Sequence, residues 1–248
     1  MNKELLKKAR TILSQAQSVV AFSGAGLSAE SGIATFRGND PDAYWSRFDP
    51  LKLASVQGFA EAPGTVIDWY NWRRKQLAEA RPNPAHQALA TQTGLINITQ
   101  NVDDLLERAG VPAANILHLH GSILKDRCHA ACGHEETVSL TDPPGLRSCA
   151  HCGASMRPAV VWFGEMLPQQ TWYKAIQVCR ETDCLLVVGT SGSVYPAASL
   201  VEAAAVSGSR IIVINPEPGL NGQTADVELN ASAGKVLPAL LEGLKLRS

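Results

Sequence analysis

The chain has 248 residues, 45% of them hydrophobic and 18% charged, with a formal net charge of −1. That length supports one sizeable core and a small appended module. The near-neutral charge argues against nucleic acid or an acidic membrane surface as the main partner. No run approaches the roughly 18 apolar residues that a bilayer span needs. The N-terminal stretch lacks the continuous apolar region of an export signal. A cytoplasmic, monomeric protein with reduced thiols is therefore the expectation.

Leu5, Leu6, Ala9, Ile12 and Leu13 recur at helical spacing and predict an amphipathic N-terminal helix. Residues 18–23 (SVVAFS) predict a buried strand that runs into a Gly-rich turn. Residues 94–99, 183–189 and 210–215 predict three more strands. Each is short, rich in Val, Ile and Leu, and apolar on both faces, as parallel strands between helices are. Helical patterns at 103–109, 167–180 and 197–207 alternate with them. The predicted fold class is α/β, a Rossmann-like doubly wound parallel sheet.

Two stretches break the alternation. Residues 39–81 hold most of the Trp and Tyr without a clear strand, and predict a helical insertion. Residues 126–157 are rich in Cys, Pro and Gly and poor in apolar residues, so they need a staple to fold. The expected division is a nucleotide-binding domain of 1–38, 82–125 and 158–248, the insertion 39–81, and a metal module 126–157.

Four of the six cysteines fall between Cys128 and Cys152. In a reducing compartment such a cluster reads as a metal site, not a disulfide framework. Cys149 and Cys152 have tight knuckle spacing; Cys128 and Cys132 are one residue wider, still within the zinc range. Four thiolates, Cys128, Cys132, Cys149 and Cys152, would hold a structural Zn²⁺ tetrahedrally. His129, His134 and His151 are alternative ligands. Cys179 and Cys184 read as ordinary buried cysteines.

Gly24, Ala25 and Gly26 follow the first strand, where glycines allow close approach to a phosphate and a following helix N-terminus favours the anion. A dehydrogenase would place an acid after its second strand, about 20 residues on. Asp40 and Asp42 have that spacing, but no strand precedes them. Among the remaining candidates, His118 and His120 would share a strand face, and either titrates near neutrality. Asn101 and Asp103 can read an amide by hydrogen bonds, or serve as the N-cap of the helix that follows. Tyr70 and Arg73, one helical turn apart, can clasp a carboxylate, or lie on a solvated helix face. Residues 160–165 read either as an apolar strand or as an edge that pairs with an extended peptide.

The segment 24–37, GAGLSAESGIATFR, resembles the signature of the sirtuin family. So do Gln100–Asp103, His120 with its following Gly121, the paired cysteines, Gly189-Thr190-Ser191 and Asn215, in the family's order over nearly the whole chain. The resemblance implies an NAD-consuming lysine deacylase with a structural zinc. Its partners would be acylated lysines in proteins or peptides, and its products free lysine, nicotinamide and O-acyl-ADP-ribose. It implies that His120 is the base and that Asn101 and Asp103 line the nicotinamide pocket. Ser28 belongs to the signature, Ile33 and Phe36 form pocket walls, and Arg37 is the cation of a closing loop. Gln100 orients the ribose, beside Val102. Gly189, Thr190, Ser191, Asn215, Pro216 and Glu217 hold the adenosine half, with Ala233 near the adenine. Val161, Trp162, Phe163 and Gly164 receive the peptide backbone. Tyr70 and Arg73, with the small Ala54, match the class of sirtuins that removes succinyl and malonyl groups. Rival readings are a zinc-containing NAD-dependent dehydrogenase and a non-catalytic NAD or zinc module.

Overall fold

The computed structural model describes residues 2–33, 50–139, 145–217 and 225–246. Six parallel strands form the main sheet: β1 (Val19–Ser23), β2 (Ile96–Thr99), β3 (Ile116–His118), β7 (Cys184–Val188), β8 (Arg210–Ile214) and β9 (Val227–Leu229). Their spatial order is β3-β2-β1-β7-β8-β9, so the direction of winding reverses between β1 and β7. Strands β1 and β7 are buried at every position, because helices cover both faces.

Side chains on these strands alternate between the two covers. Val19, Ala21, Cys184, Leu186 and Val188 pack with helices α1 (Lys3–Gln15), α5 (Pro84–Ala90) and α9 (Ala233–Leu241). Val20, Phe22, Leu185 and Val187 pack with α7 (Gln169–Glu181) and α8 (Ser199–Val206). The buried Cys179 and Cys184 therefore lie on opposite faces of the sheet. Asn2 starts α1 by accepting from the Glu4 and Leu5 amides, a side-chain N-cap.

The insertion contributes α2 (Pro50–Leu53), α3 (Val56–Glu61) and α4 (Pro63–Glu79). They close a third core around Trp69, Tyr70, Phe59 and Trp162. A separate antiparallel sheet joins β5 (Glu135–Thr137), β4 (Gly121–Cys128) and β6 (Met156–Val160). Its cysteine-bearing end has a buried apolar cluster of only Cys128, Cys149 and Met156 among the described residues. Among the described residues, no helix is long and apolar enough to cross a membrane.

The four strands expected from apolar runs are present. Strand β9 was not expected from the sequence, and β3 ends at His118, short of the strand face that His118 and His120 were expected to share; each is only three residues long. Strands β4 to β6 were also unexpected: burial along β4 and β5 is broken or partial, and the buried β6 carries Arg157 and Pro158.

Candidate active site

The loops that leave β1, β2, β3, β7 and β8 all emerge at one edge of the sheet, as parallel strands require. At the reversal point two of them are fused. The Gly24 amide donates to the Val188 carbonyl at 3.0 Å, and the Gly26 amide to the Gly189 carbonyl at 2.9 Å. A Cβ on Gly26 would lie 2.7 Å from Gly189 Cα, and one on Gly189, at φ +60°, would lie 2.5 Å from the Gly26 carbonyl carbon. The glycines are thus required first for backbone-to-backbone packing of the two loops. No α-helix follows directly; Ala25–Leu27 and Ala29–Ser31 are short 3-10 turns, which corrects the expected helix N-terminus. Gln100 Nε2 donates to Thr190 Oγ1 at 3.0 Å and ties the β2 loop to the same point.

Behind this junction lies a buried polar network. Ser28 and His86 have no exposed surface. Asn83 starts α5 with its side chain, and its amide donates to His86 Nδ1 at 3.3 Å. Neutral His86 therefore carries its proton on Nε2, 3.4 Å from Ser28 Oγ. Ser28 Oγ also receives Asn101 Nδ2 at 3.1 Å and donates to Asp103 Oδ2 at 2.9 Å. One hydroxyl thereby fixes which way the Asn101 amide faces, leaving its oxygen with bonding capacity to spare. Asp103 Oδ1 accepts from the Leu105 amide at 3.2 Å, so Asp103 serves both the pocket and the start of α6 (Leu105–Ala109). Burial raises Asp103 above the usual carboxylate range, partly offset by the Leu105 and Ser28 bonds. Burial lowers His86 to about 4.

His120 follows β3. Its Nδ1 lies 2.9 Å from the Gln100 carbonyl. A carbonyl only accepts, so the ring proton sits on Nδ1 and the lone pair on Nε2. Burial lowers the His120 pKa, against the opposing pull of the Gln100 bond. His118 is bound differently, with Nε2 2.7 Å from Glu107 Oε1.

The Val161 amide donates to the His120 carbonyl, and the Phe163 amide to the Ala54 carbonyl, each at 2.9 Å. Phe163 pairs with Ser55 as an isolated bridge. Residues 161–164 thus run from His120 to the insertion core. Gly164 turns the chain at φ +85°, and Phe163 is half exposed. Glu165 fixes this segment: it accepts from the Trp162 amide at 2.9 Å, twice from Arg127, and from the buried Arg157. Arg157 stacks 4.0 Å over the Trp162 ring, and Trp162 Nε1 donates to Tyr70 Oη at 2.9 Å. Arg73 Cζ lies 4.9 Å from the Trp69 ring centroid and 5.8 Å from that of Tyr70.

At the far end, Cys128 and Cys152 Sγ are 3.4 Å apart, Cys132 and Cys149 Sγ 3.6 Å, and all four sulfurs lie within 4.8 Å of one another. A tetrahedral zinc–thiolate site has sulfurs about 3.8 Å apart, so the cluster fits Zn²⁺. Among the described residues these four are the one candidate metal group. The alternative histidine ligands are used otherwise: His129 packs on Phe59, and His134 stacks on His151 at 4.2 Å.

A family model described as the Sir2 family matches residues 24–196. The chain belongs to the Sir2 family. It is 44% identical over 243 residues to NAD-dependent protein deacylase 2 of Pyrobaculum aerophilum, covering 95% of this chain and 94% of that protein. A solved Sir2 homologue in complex with NAD is 43% identical, with a TM-score of 0.86, over 97% of this chain and 93% of that one. A Sir2 protein bound to a myristoylated histone peptide is 33% identical, with a TM-score of 0.76, over 97% and 96% of the two chains.

This Sir2-family chain gathers the expected residues into three linked groups. Gly24, Ala25, Gly26, Gln100, Gly189 and Thr190 meet at the reversal point. Ser28, Asn101, Asp103 and His120 form the pocket beside it, walled by Ile33 and Val102, which pack against the third core. Ala54, Tyr70 and Trp162 meet in the third core, with Arg73 over the Tyr70 ring and Phe163 bonded to Ala54. Ser191, bonded to Ser193 at 2.7 Å, and Asn215, Pro216 and Glu217 line the sheet edge toward β9. Ala233 is buried at the start of α9, where Glu30 accepts from the Gly234 amide at 2.6 Å. Phe36 and Arg37 lie outside the described residues. The donor set fits NAD: an amide and a buried carboxyl for a carboxamide, beside a crowded backbone junction. Sequence reasoning missed His86, although Asn83-Pro84 followed by His86 has the pattern of a capped helix start. It also missed the Glu107–His118 pair and the Arg157–Glu165 clamp, which no spacing rule marks.

Proposed function

We propose that this Sir2-family enzyme is an NAD-dependent protein lysine deacylase that takes acidic acyl groups, succinyl and malonyl, as well as acetyl. NAD, when bound, supplies the ribose that receives the acyl group as nicotinamide leaves. The chain's own residues have separable tasks. The Asn101 amide and the Asp103 carboxyl hold the nicotinamide end, and Ser28 keeps both in orientation. His120 Nε2, with its lone pair outward and its ring fixed by the Gln100 carbonyl, removes a proton from a ribose hydroxyl. Gln100 and the Gly24–Gly26 and Gly189–Ser191 loops hold the rest of the dinucleotide, with Asn215, Pro216, Glu217 and Ala233 on its adenosine half. Residues 161–164 receive the substrate backbone as an added strand. The four cysteines hold a structural zinc, and a reducing cytoplasm would keep them available. The enzyme acts as a monomer on acylated lysines in proteins or peptides, with no nucleic acid or membrane as partner.

The acidic-acyl reading is carried by the Tyr70 hydroxyl. It is fully buried and spends its acceptor capacity on Trp162 Nε1. Its own proton has no acceptor among the described residues. A buried donor without an acceptor is costly. Arg73 stands one turn away, its pKa lowered by burial against the pull of Tyr70 and Asp103. A hydroxyl proton and a desolvated guanidinium, above the small Ala54, offer a carboxylate what an acetyl group cannot use.

Matched succinyl-, malonyl- and acetyl-lysine peptides with NAD test this reading. Succinyl should exceed acetyl in kcat/KM. Arg73→Met should erase that advantage, a loss of roughly 30- to 150-fold on succinyl if the charged contact is worth about 2–3 kcal/mol. Tyr70→Phe should act in the same direction. Equal parent rates on succinyl and acetyl would end the acidic-acyl claim.

A further inference from the structure

We infer that His118 is a second essential imidazole of the site: a doubly protonated positioning residue that clamps the segment Asn101–Asp103 and takes no part in proton transfer. The assignment follows from what each nitrogen touches. Nδ1 lies 3.2 Å from the Asn101 carbonyl oxygen and Nε2 2.7 Å from Glu107 Oε1. The carbonyl can only accept, so Nδ1 carries a proton. The carboxylate accepts the other, and a ring with two N–H groups is a cation. His120, two residues on, has one oxygen partner and remains neutral.

The surroundings favour the ion pair over its neutral form. Burial alone would lower the His118 pKa, but the hydrogen bond and charge of Glu107 outweigh it, with help from the Asn101 carbonyl and Asp103. Burial alone would raise Glu107, yet His118 holds it below the usual carboxylate range. Glu107 Oε2 is buried with no hydrogen-bond partner among the described residues, so this carboxylate depends heavily on the His118 bond. The charges acting on the ring are both carboxylates, Glu107 on α6 and Asp103 before it. Asp104 is shared with Arg108 at 3.7 Å. Strand β2, paired with β3, carries no charged residue. Helix α7 packs across β3, and its charged residues Lys174, Arg180 and Glu181 are exposed.

One imidazolium thus joins β3, the 100–103 loop and α6. It holds the Asn101 backbone from one side while Ser28 holds the side chain from the other. Below the His118 pKa the clamp is closed. As pH rises through that raised pKa one ring proton is lost, so His118 can no longer donate to Asn101 and Glu107 together and the link between the loop and α6 is broken. Nicotinamide-end binding should weaken there, an effect on the KM for NAD more than on kcat. This consequence rests on Asn101 and Asp103 holding nicotinamide.

The test has two arms on the full-length enzyme. In the first, imidazole NMR titration follows His118 without NAD, assigned by loss of its signal in His118→Gln. The expected midpoint is above the ordinary value of about 6.5; a midpoint at or below it overturns the proposal, whatever the fate of the nicotinamide reading. In the second, the KM for NAD is measured against pH in the parent and in Glu107→Gln, which keeps an acceptor and removes the charge. The midpoint of the KM rise should move to lower pH, because burial then opposes the charged ring without the Glu107 carboxylate, so the variant's KM should exceed the parent's at neutral pH. An unmoved KM profile in a folded variant overturns the clamp; if the variant does not fold, the NMR arm decides. Asn101→Ala separates the two readings. If it leaves the KM for NAD unchanged, the nicotinamide assignment fails while the NMR arm still decides the protonation of His118.

Discussion

Among the described residues His120 is bonded through one ring nitrogen only, and that asymmetry is what the proposed base requires. Substitution by Ala removes the proton acceptor without disturbing a core contact. Turnover should fall at least about a hundredfold, the usual scale of general-base catalysis, while the circular dichroism spectrum and melting temperature stay near the parent's. The base works only when neutral. Because burial lowers its pKa, the acid limb of kcat/KM should lie below about pH 6.5, with activity lost as pH falls through it. His86 makes a different prediction, about stability. It is buried, neutral and lowered to about 4, so between that value and 6.5 the unfolded chain binds more protons than the folded one. Stability should decline by about 3 kcal/mol as pH falls across this window, measured by urea melts. His86→Gln should flatten the decline.

At the scale of elements, the zinc module and helix α4 are joined by a buried ion network. Arg74 on α4 donates to Asp126 on β4 at 2.6 Å, and Arg147 donates to the other Asp126 oxygen at 2.5 Å. Arg74 Nε also donates to the Ile123 carbonyl. Asp126→Ala would strand a buried guanidinium and should cost about 3–5 kcal/mol, read as a fall in melting midpoint. Cys149→Ser should release zinc, measured with a chromogenic chelator, and loosen β4–β6 more than the main sheet in hydrogen exchange, since so few apolar residues hold that end. The same contrast explains which elements were legible in the sequence. Strands β1, β7 and β8 are covered on both faces and announce themselves as apolar runs. Strand β3 is too short to leave a period, and β4, β5 and β6 mix a few buried apolar residues, such as Ile123 and Val160, with charged ones that break the run. The cysteine cluster was legible through its spacing, although the wider Cys128–Cys132 gap left the histidines in play until the sulfurs were seen together. Tyr70 and Arg73 were legible as a pair one turn apart. The Trp162 bond that occupies the Tyr70 oxygen joins residues distant in sequence, and no pattern announces it.

For the whole molecule, the reversal of winding between β1 and β7 decides where chemistry happens. It brings the Gly24–Gly26 and Gly189 loops into backbone contact and lets the β2 and β3 loops supply Asn101, Asp103 and His120 from one side. Any side chain at Gly189 must push these loops apart, so Gly189→Ala should raise the KM for NAD at least about tenfold, a loss of roughly 1.4 kcal/mol or more, measured by initial rates at saturating acyl peptide. The acyl side and the zinc module flank this edge, which is why a chain with a doubly wound nucleotide fold need not transfer hydride. The most direct measurement is a mass balance: NAD, an acyl-lysine peptide and the enzyme, with all products weighed. One nicotinamide and one O-acyl-ADP-ribose should appear for each lysine freed. Free carboxylic acid without nicotinamide release, or NADH formation in its place, would contradict the deacylase reading.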